Sequence, residues 1–192
     1  MKKIEVTIKG ISPLLMHRYP GLDLDTKKRT GKPDWKAEAE DALYKDPQGH
    51  LYQPASHIEG TLRTAATSFK IAGKRGASYA RLVASTVDVT PEAIPHKIEK
   101  WETDARPVVI QRARVVRYRP KLPEWELDFT LTLNDDQLPT DVVKQILDQA
   151  GLYVGIGDYR PGSPRGGKFG KFMVTRFEVV KEEKQRSKRK LG

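Results

Sequence analysis

Two stretches of the chain alternate apolar and polar residues with the period of two that is typical of a half-buried β-strand. Residues 3–9 place Ile4, Val6 and Ile8 on one face. Residues 125–133 show the clearest strand pattern, with apolar positions at Trp125, Leu127, Phe129, Leu131 and Leu133. A last strand is predicted over residues 172–180.

Apolar residues recur at helical spacing in two other stretches. The spacing predicts a helix over residues 57–70, and Ser56 with Glu59 three positions later predicts a capping box at its start. A second predicted helix begins at Thr140 and carries the apolar stripe Val143, Ile146, Leu147, Ala150 and Val154. Two shorter helices are predicted over residues 34–45 and 78–83.

The remaining segments are less regular. Glycines, prolines and a basic run predict a long loop over residues 10–33. Residues 86–105 contain two prolines and predict an irregular insertion with short strands. Residues 107–119 are β-rich and arginine-rich, and a change in the parity of the arginines predicts a bulge or strand break between Arg114 and Arg117.

The predicted order is strand, helix, strand, strand, helix, strand. This order predicts an α+β fold, the ferredoxin-like (RRM-like) βαββαβ sandwich, with insertions after the first strand and after the first helix. In this prediction the arginine-rich segment is the second strand. One domain is expected over residues 1–181, followed by a basic, disordered tail over residues 182–192.

Composition excludes several classes of protein. The 192 residues include no cysteine, which excludes disulfide scaffolds, cysteine-ligated zinc, iron–sulfur clusters and thiol nucleophiles. No apolar run approaches the roughly 20 residues of a membrane helix, and the N-terminal residues lack the apolar stretch of a signal peptide. We therefore expect a soluble, cytoplasmic protein with no membrane partner.

The positive charge is concentrated in short segments. The 35 Lys and Arg against 25 Asp and Glu give a net charge of +10. Residues 105–121, 155–171 and 181–192 carry +6, +3 and +4, which leaves −3 for the rest of the chain. Clustered cations suit a polyanion, because bound phosphates release their counterions. This pattern favours a nucleic-acid partner over a merely basic surface.

Residues 155–170 form the most unusual segment, with two prolines and the glycines Gly155, Gly157, Gly162, Gly166, Gly167 and Gly170. Such a loop lets the backbone approach a ligand, and its free N–H groups can bind anions. It lies between a helix and a strand, the reverse of a dinucleotide-binding fingerprint, and it lacks the Gly-Lys-Ser/Thr of a phosphate loop. Both nucleotide-binding motifs are therefore excluded.

A glycine-rich loop ahead of the final strand resembles that of the RAMP superfamily, the ferredoxin-like proteins of CRISPR effector complexes. Residues 52–63 (Tyr-Gln-Pro-Ala-Ser-His-Ile-Glu-Gly-Thr-Leu-Arg) are similar to the Ile-Pro-Gly-Ser-Ser-x-Lys-Gly-x-x-Arg start of the first helix in type III backbone subunits. Pro54, Ser56, Gly60 and Arg63 match, whereas Ala55, His57 and Glu59 depart from the pattern. Residues 11–14 (Ile-Ser-Pro-Leu) complete a resemblance that spans nearly the whole chain.

The resemblance implies a protein that binds single-stranded RNA or DNA through its phosphate backbone and oligomerises along the strand. A CRISPR subunit and a viral or mobile-element relative are both compatible with it. Arginine pairs with phosphates and stacks on bases, and tyrosine stacks as well. The predicted nucleic-acid-binding residues are Arg18, Arg63, Lys74, Arg75, Arg106, Arg112, Arg114, Arg117, Tyr118, Arg119, Tyr159, Arg160, Arg165, Lys168 and Lys171.

Catalysis is the alternative. RAMP endoribonucleases that process guide RNA use a histidine near the first helix, and the resemblance therefore implies His17 or His57 as the catalytic residue. Backbone subunits that cleave target RNA use an aspartate after the first strand, and the resemblance then implies Asp23 or Asp25. The histidines show no metal-binding spacing, so neither a metal nor a cofactor is expected. A third hypothesis is an assembly protein whose basic surface binds an acidic protein partner.

Overall fold

Nine strands and four helices make up the described part of the chain, which in this computed structural model comprises residues 1–19, 35–110 and 112–180. The strands are β1 (Lys2–Gly10), β2 (Leu14–Leu15), β3 (Tyr52–Pro54), β4 (Val87–Thr90), β5 (Ala93–Pro95), β6 (Glu102–Ile110), β7 (Ala113–Leu122), β8 (Glu126–Leu133) and β9 (Phe172–Val180). The helices are α1 (Trp35–Asp41), α2 (Ala55–Ala65), α3 (Ala80–Thr86) and α4 (Thr140–Gln149).

The largest sheet has four strands in the order β4-β8-β1-β9, and each neighbouring pair is antiparallel. Ile4 of β1 pairs with Leu131 of β8, so the two predicted alternating strands align their apolar positions. These positions are buried. The strands predicted over residues 3–9, 125–133 and 172–180 are confirmed.

Helices α2 and α4 contact each other and share one hydrophobic core with the inward side chains of the sheet. The core takes Ile58 and Leu62 from α2 and the whole predicted stripe from Val143 to Val154. Burying an aliphatic side chain contributes about 1.5–3 kcal/mol to the stability of the fold. The buried faces of α2 and α4 therefore hold the two helices against the sheet. A π-helical turn, Ala150–Val154, extends α4 toward the glycine-rich loop.

The fourth strand of this sheet comes from residues 86–105, for which the sequence predicts an irregular insertion with short strands. β4 pairs with β8 through Val87 opposite Leu133 and Val89 opposite Leu131. A four-residue strand with two apolar positions is too short to give a clear periodic signal. The prediction that the arginine-rich segment supplies the second strand of the sheet is therefore wrong.

The arginine-rich segment instead forms a β-hairpin. β6 and β7 pair in register from Glu102 opposite Lys121 to Ile110 opposite Ala113, and β2 extends this second sheet along β7. The predicted single strand with a break between Arg114 and Arg117 is wrong, because the chain reverses at Arg112, whose φ is 71°. This left-handed conformation is rare for a residue with a Cβ.

The predicted capping box is also wrong. α2 begins at Ala55 with Pro54 as its N-cap, and no side chain caps it. The Glu59 carboxylate accepts a hydrogen bond from the Val89 N–H of β4 at 3.2 Å. Glu59 therefore joins the helix to the edge strand of the sheet rather than closing the first turn.

The architecture is that of an α+β protein with mostly antiparallel sheets and four helices. The helix predicted over residues 57–70 ends at Ala65 and continues as a 3₁₀ turn, and the short helices near residues 34–45 and 78–83 occur as α1 and α3. Within the described ranges, no helix is both long and apolar enough to cross a membrane. The predicted tail lies outside the described residues.

Candidate functional site

The glycine-rich loop is joined to the segment that follows β1 by backbone hydrogen bonds. The Asp158 N–H donates to the Leu15 carbonyl at 2.8 Å, and the Gly170 N–H donates to the Pro13 carbonyl at 2.8 Å. On the other side, the Thr61 hydroxyl of α2 donates to the Gly155 carbonyl at 2.9 Å. The three segments that carry the family resemblance therefore meet at one place.

Close backbone contacts explain two of the glycines. A Cβ on Gly157 would lie 2.5 Å from the Leu15 carbonyl oxygen, and one on Gly170 would lie 1.8 Å from the Ile156 carbonyl oxygen. Both residues also have positive φ, at 76° and 64°. A side chain at Gly170 would push apart two parts of the loop, and a side chain at Gly157 would push the loop away from β2.

Most of the glycine amides serve the loop itself. Gly155, Gly162, Gly166 and Gly170 donate their N–H groups to the carbonyls of Ala150, Val154, Ser163 and Pro13. The sequence suggested that such amides are free to bind anions. In these four cases the amide holds the loop closed, so side chains are the better candidates for binding an anion.

A cavity of about 360 Å³ lies where the three segments meet. Its walls come from α2, from the residues after β2 and from the start of the glycine-rich loop. The polar side chains that line it are His17, Tyr44, Gln53, Ser56, His57, Thr61, Arg63, Thr64, Asp158 and Arg160. Four cationic or titratable basic side chains and one carboxylate therefore surround the same space.

Asp158 is the anionic centre of the site. Its Oδ2 is 2.5 Å from Arg119 Nε and 3.7 Å from His17 Nδ1. Burial and the charge of Arg119 lower the pKa of His17, and Asp158 opposes this shift. His17 is therefore mainly neutral at pH 7, with half of its side chain exposed at the cavity mouth.

His57 lies on the wall formed by β3 and α2. Gln53 Nε2 is in a short hydrogen-bonding contact with His57 Nδ1, and the His57 ring packs edge-on against Tyr44 at a centroid distance of 5.4 Å. Burial and the charge of Arg160 lower the pKa of His57. Arg160 is held in place by its hydrogen bond to the Gly157 carbonyl at 2.9 Å.

Two further arginines act on the cavity electrostatically. Burial raises the pKa of the Tyr44 hydroxyl, and the charge of Arg18 opposes that rise. Arg117 lowers the pKa of His17 and pairs with Glu38 of α1 at 3.1 Å. Of the predicted arginines, Arg63 and Arg160 line the cavity, and the charges of Arg18, Arg117 and Arg119 act on side chains that line it.

The β6–β7 hairpin contacts the glycine-rich loop through cation–π contacts. The Arg106 guanidinium lies 4.5 Å from the Phe169 ring centroid and 5.7 Å from that of Tyr159. The guanidinium of Arg119, on β7, lies 5.2 Å from the Tyr159 ring centroid. Tyr159 and Phe169 are therefore packed against arginines, and Arg106 also pairs with Asp104 at 2.5 Å.

The other predicted residues lie around the cavity rather than in it. Arg112 and Arg114 are exposed near the hairpin tip, Tyr118 is half-buried on β7, and Lys171 follows the loop. Arg165 and Lys168 are exposed on the glycine-rich loop. Lys74 and Arg75 are exposed in a separate turn before α3, and Asp23 and Asp25 lie outside the described residues.

Sequence reasoning did not identify Tyr44 and Gln53. Gln53 is in the motif segment directly before Pro54, and its position there was the only available signal. Tyr44 comes from the end of the predicted acidic helix, so only the fold brings it to the cavity. No group of three or more His, Asp or Glu side chains suited to a metal ion occurs among the residues described.

Sequence comparison gives no family assignment. No protein-family model matches the chain, and no curated protein matches it. The function is therefore inferred from the geometry and charge of the site.

Proposed function

We propose that the protein binds single-stranded nucleic acid, RNA or DNA, mainly through the phosphate backbone at this cavity and the adjoining glycine-rich loop. One observation carries the proposal: two arginines, Arg63 and Arg160, and two histidines, His17 and His57, line a single recess. Arginine binds phosphate bidentately and stays charged at any accessible pH. A recess of about 360 Å³ accepts one unstacked nucleotide of a single strand, whereas the bases of a duplex are held in the stack.

The exposed face of the four-stranded sheet is a weaker candidate surface. Several of its charges are paired with each other: Lys97 contacts Glu126 and Asp128, and Arg176 contacts Glu5 and Glu178. An RRM uses aromatic side chains on this face to stack bases. The outward positions of β1 here are Lys3, Glu5, Thr7 and Lys9. We therefore assign binding to the side of the glycine-rich loop.

We infer that β1, β4, β8 and β9 form a ferredoxin-like core. The order β4-β8-β1-β9 with antiparallel neighbours supports this, as do the positions of α2 between β1 and β4 and of α4 between β8 and β9. The convergence of the motif at residues 52–63, the glycine-rich loop and residues 11–14 supports a relationship to the RAMP superfamily. Oligomerisation along the strand is part of the same proposal.

Fluorescence anisotropy with labelled single-stranded RNA and DNA tests binding. The association constant should fall steeply between 50 and 200 mM salt, because each phosphate contact contributes a slope of roughly −0.7 in a log–log plot for single strands. Arg63→Ala should weaken binding about tenfold and make the slope shallower. Arg176→Ala on the sheet face is the matched control and should bind like the unmodified protein.

A flat salt dependence, or equal effects of the two substitutions, would contradict the proposal. Sedimentation with and without oligonucleotide separates the related alternatives. Assembly only in the presence of the strand supports oligomerisation along it. Binding of an acidic protein without any binding of oligonucleotide would favour the assembly-protein hypothesis.

A second candidate function, endoribonuclease, is favoured by the placement of His17 and His57 on the same cavity. One histidine in its neutral form can act as general base toward a ribose hydroxyl, and the other, in its protonated form, can donate a proton to the leaving oxygen of the phosphodiester. Incubation of labelled RNA with and without EDTA tests this function. Metal-independent cleavage that is lost in His17→Ala and His57→Ala would support it, and intact RNA would leave binding alone.

A further inference from the structure

One wall of the cavity has a different chemistry from the arginines around it. It consists of Tyr44, Gln53 and His57, which contact each other through the Gln53–His57 hydrogen bond and the edge-on ring packing. Only 1% of Gln53 is exposed. Its Oε1 has no hydrogen-bond partner among the residues that the structure describes. A buried amide oxygen without a partner is costly, so a ligand that donates to it would be favoured.

The hydrogen-bond pattern of this wall follows from the same contacts. Since the Gln53 amide Nε2 donates to His57 Nδ1, the neutral imidazole carries its proton on Nε2. His57 then offers an N–H donor, and Gln53 offers an acceptor. A donor beside an acceptor matches the edge of a nucleobase, whereas a phosphate oxygen would accept from the donor but repel the amide oxygen.

The size of the cavity limits its occupant. At about 360 Å³ it is close to the lower end of the range for small-ligand pockets, roughly 300 Å³. This volume suits one base with part of its sugar, and Arg63 and Arg160 line the same space for the adjoining phosphate. Longer segments of a strand have to lie outside the cavity, and Arg165 and Lys168 are exposed on the same loop that lines it.

We propose that this cavity takes one unstacked nucleobase of the bound strand, and that Gln53 and His57 read its hydrogen-bonding edge beside the aromatic wall of Tyr44. The inference rests on the proposed function and deepens it by adding base-dependent recognition to backbone binding. The nucleotide in the pocket would then add a sequence preference, which contacts between arginines and phosphates cannot supply.

Binding of the full-length protein to 20-nucleotide homopolymers of dA, dC and dT and to an abasic strand of the same length tests the inference. At least one homopolymer should bind about tenfold more tightly than the abasic strand, and the homopolymers should differ from one another. Gln53→Leu should reduce every homopolymer to the affinity of the abasic strand. Gln48→Leu, in an exposed turn, should change nothing.

Gln53→Glu is a second variant that keeps the size of the side chain and replaces the amide donor by a carboxylate. It should change which homopolymer binds best, because the histidine then donates to the carboxylate from Nδ1. Thermal unfolding of each variant verifies that it folds.

The outcomes separate the two proposals. Equal affinity for all homopolymers and the abasic strand would overturn the base pocket and leave backbone binding intact. A base preference that persists in Gln53→Leu would overturn the role of this wall. Failure of these strands and of the labelled single-stranded RNA to bind at low salt would overturn the proposed function and, with it, this inference.

Discussion

Arg119 differs from the other arginines of the β6–β7 hairpin because it is buried, with 7% of its surface exposed. A buried cation without a counter-ion destabilises a fold by about 3–5 kcal/mol, so its pairing with Asp158 is required. Arg119 therefore positions Asp158 and the glycine-rich loop. Its exposed neighbours, Arg114 and Arg117, are the ones that can reach a phosphate.

His96 is the second residue whose burial has a direct consequence. Only 5% of it is exposed, and neither ring nitrogen has a hydrogen-bond partner in the described part of the chain. Burial lowers the pKa of His96 to about 4 from the usual 6.5. The folded protein therefore keeps this ring neutral under conditions in which the unfolded chain protonates it.

Stability should fall as the pH decreases from about 6.5 to 4, because in this range the unfolded state binds more protons than the folded state. The pKa difference of about 2.5 corresponds to a loss of about 3 kcal/mol in the free energy of unfolding, which levels off below pH 4. Urea unfolding at pH 7, 6, 5 and 4 measures this loss.

His96→Phe should reduce the loss of stability over this range by about 3 kcal/mol, because it fills the same space without a titrating group. The remaining pH dependence belongs to other groups such as His17 and His57, whose pKa values are also lowered by burial. His50→Gln, at an exposed turn, is the matched control and should keep it. The burial of a neutral His96 would be refuted if His96→Phe and the unmodified protein lost the same stability over this range.

At the scale of elements, the glycine-rich loop depends on backbone contacts that alanine cannot keep. Gly170 has a φ of 64° and no room for a Cβ, whereas Gly166 has a φ of 59° and open space around it. Gly166→Ala should therefore cost only the left-handed strain, about 1 kcal/mol. Gly170→Ala adds overpacking and should cost about 3 kcal/mol.

Urea unfolding and single-strand binding of the two alanine variants measure this difference. We expect Gly170→Ala to weaken binding as well, because the same contact aligns the loop with Ile156 beside the cavity. Equal stability of the two variants would show that steric closure does not hold the loop.

The strands β1 and β8 could be predicted from the sequence because each has several alternating apolar residues buried on one face. β4 could not, because Val87 and Val89 are its only apolar positions and their burial depends on pairing with β8. The hairpin was missed because the chain reverses at Arg112, and the turn has no Asn-Gly or Asp-Gly signal.

The site was partly predictable for a related reason. Charge clusters and glycines are visible in sequence, so the arginines and the loop were identified as a group. Which arginines line the cavity depends on the contact between α2 and the glycine-rich loop, which is a tertiary feature. Gln53 and Tyr44 carry no charge, so charge patterning could not identify them.

At the scale of the whole molecule, two of the three basic segments come together in space. The hairpin and the glycine-rich loop are joined by Arg106 on Phe169 and by Arg119 on Asp158. The exposed sheet face carries mixed, mutually paired charges instead. Among the described residues, the hairpin and the glycine-rich loop therefore carry more unpaired cations than the sheet face.

This asymmetry predicts that the location of charge, and not its total, controls binding. Arg165→Glu with Lys168→Glu on the loop and Lys3→Glu with Lys9→Glu on the sheet face each lower the net charge from +10 to +6. The loop variant should bind single-stranded oligonucleotides at least tenfold more weakly at 100 mM salt, because phosphate contacts are replaced by repulsion. The sheet variant should lose much less affinity for the same oligonucleotides.

Association and dissociation rates of the two variants make the test sharper. Long-range attraction depends on the overall field, so both variants should associate more slowly at low salt. Direct contacts at the loop should additionally hold the bound strand, so only the loop variant should dissociate faster. If both variants lost affinity equally and only through the association rate, the protein would act as a general polycation, and the cavity would not be its binding site.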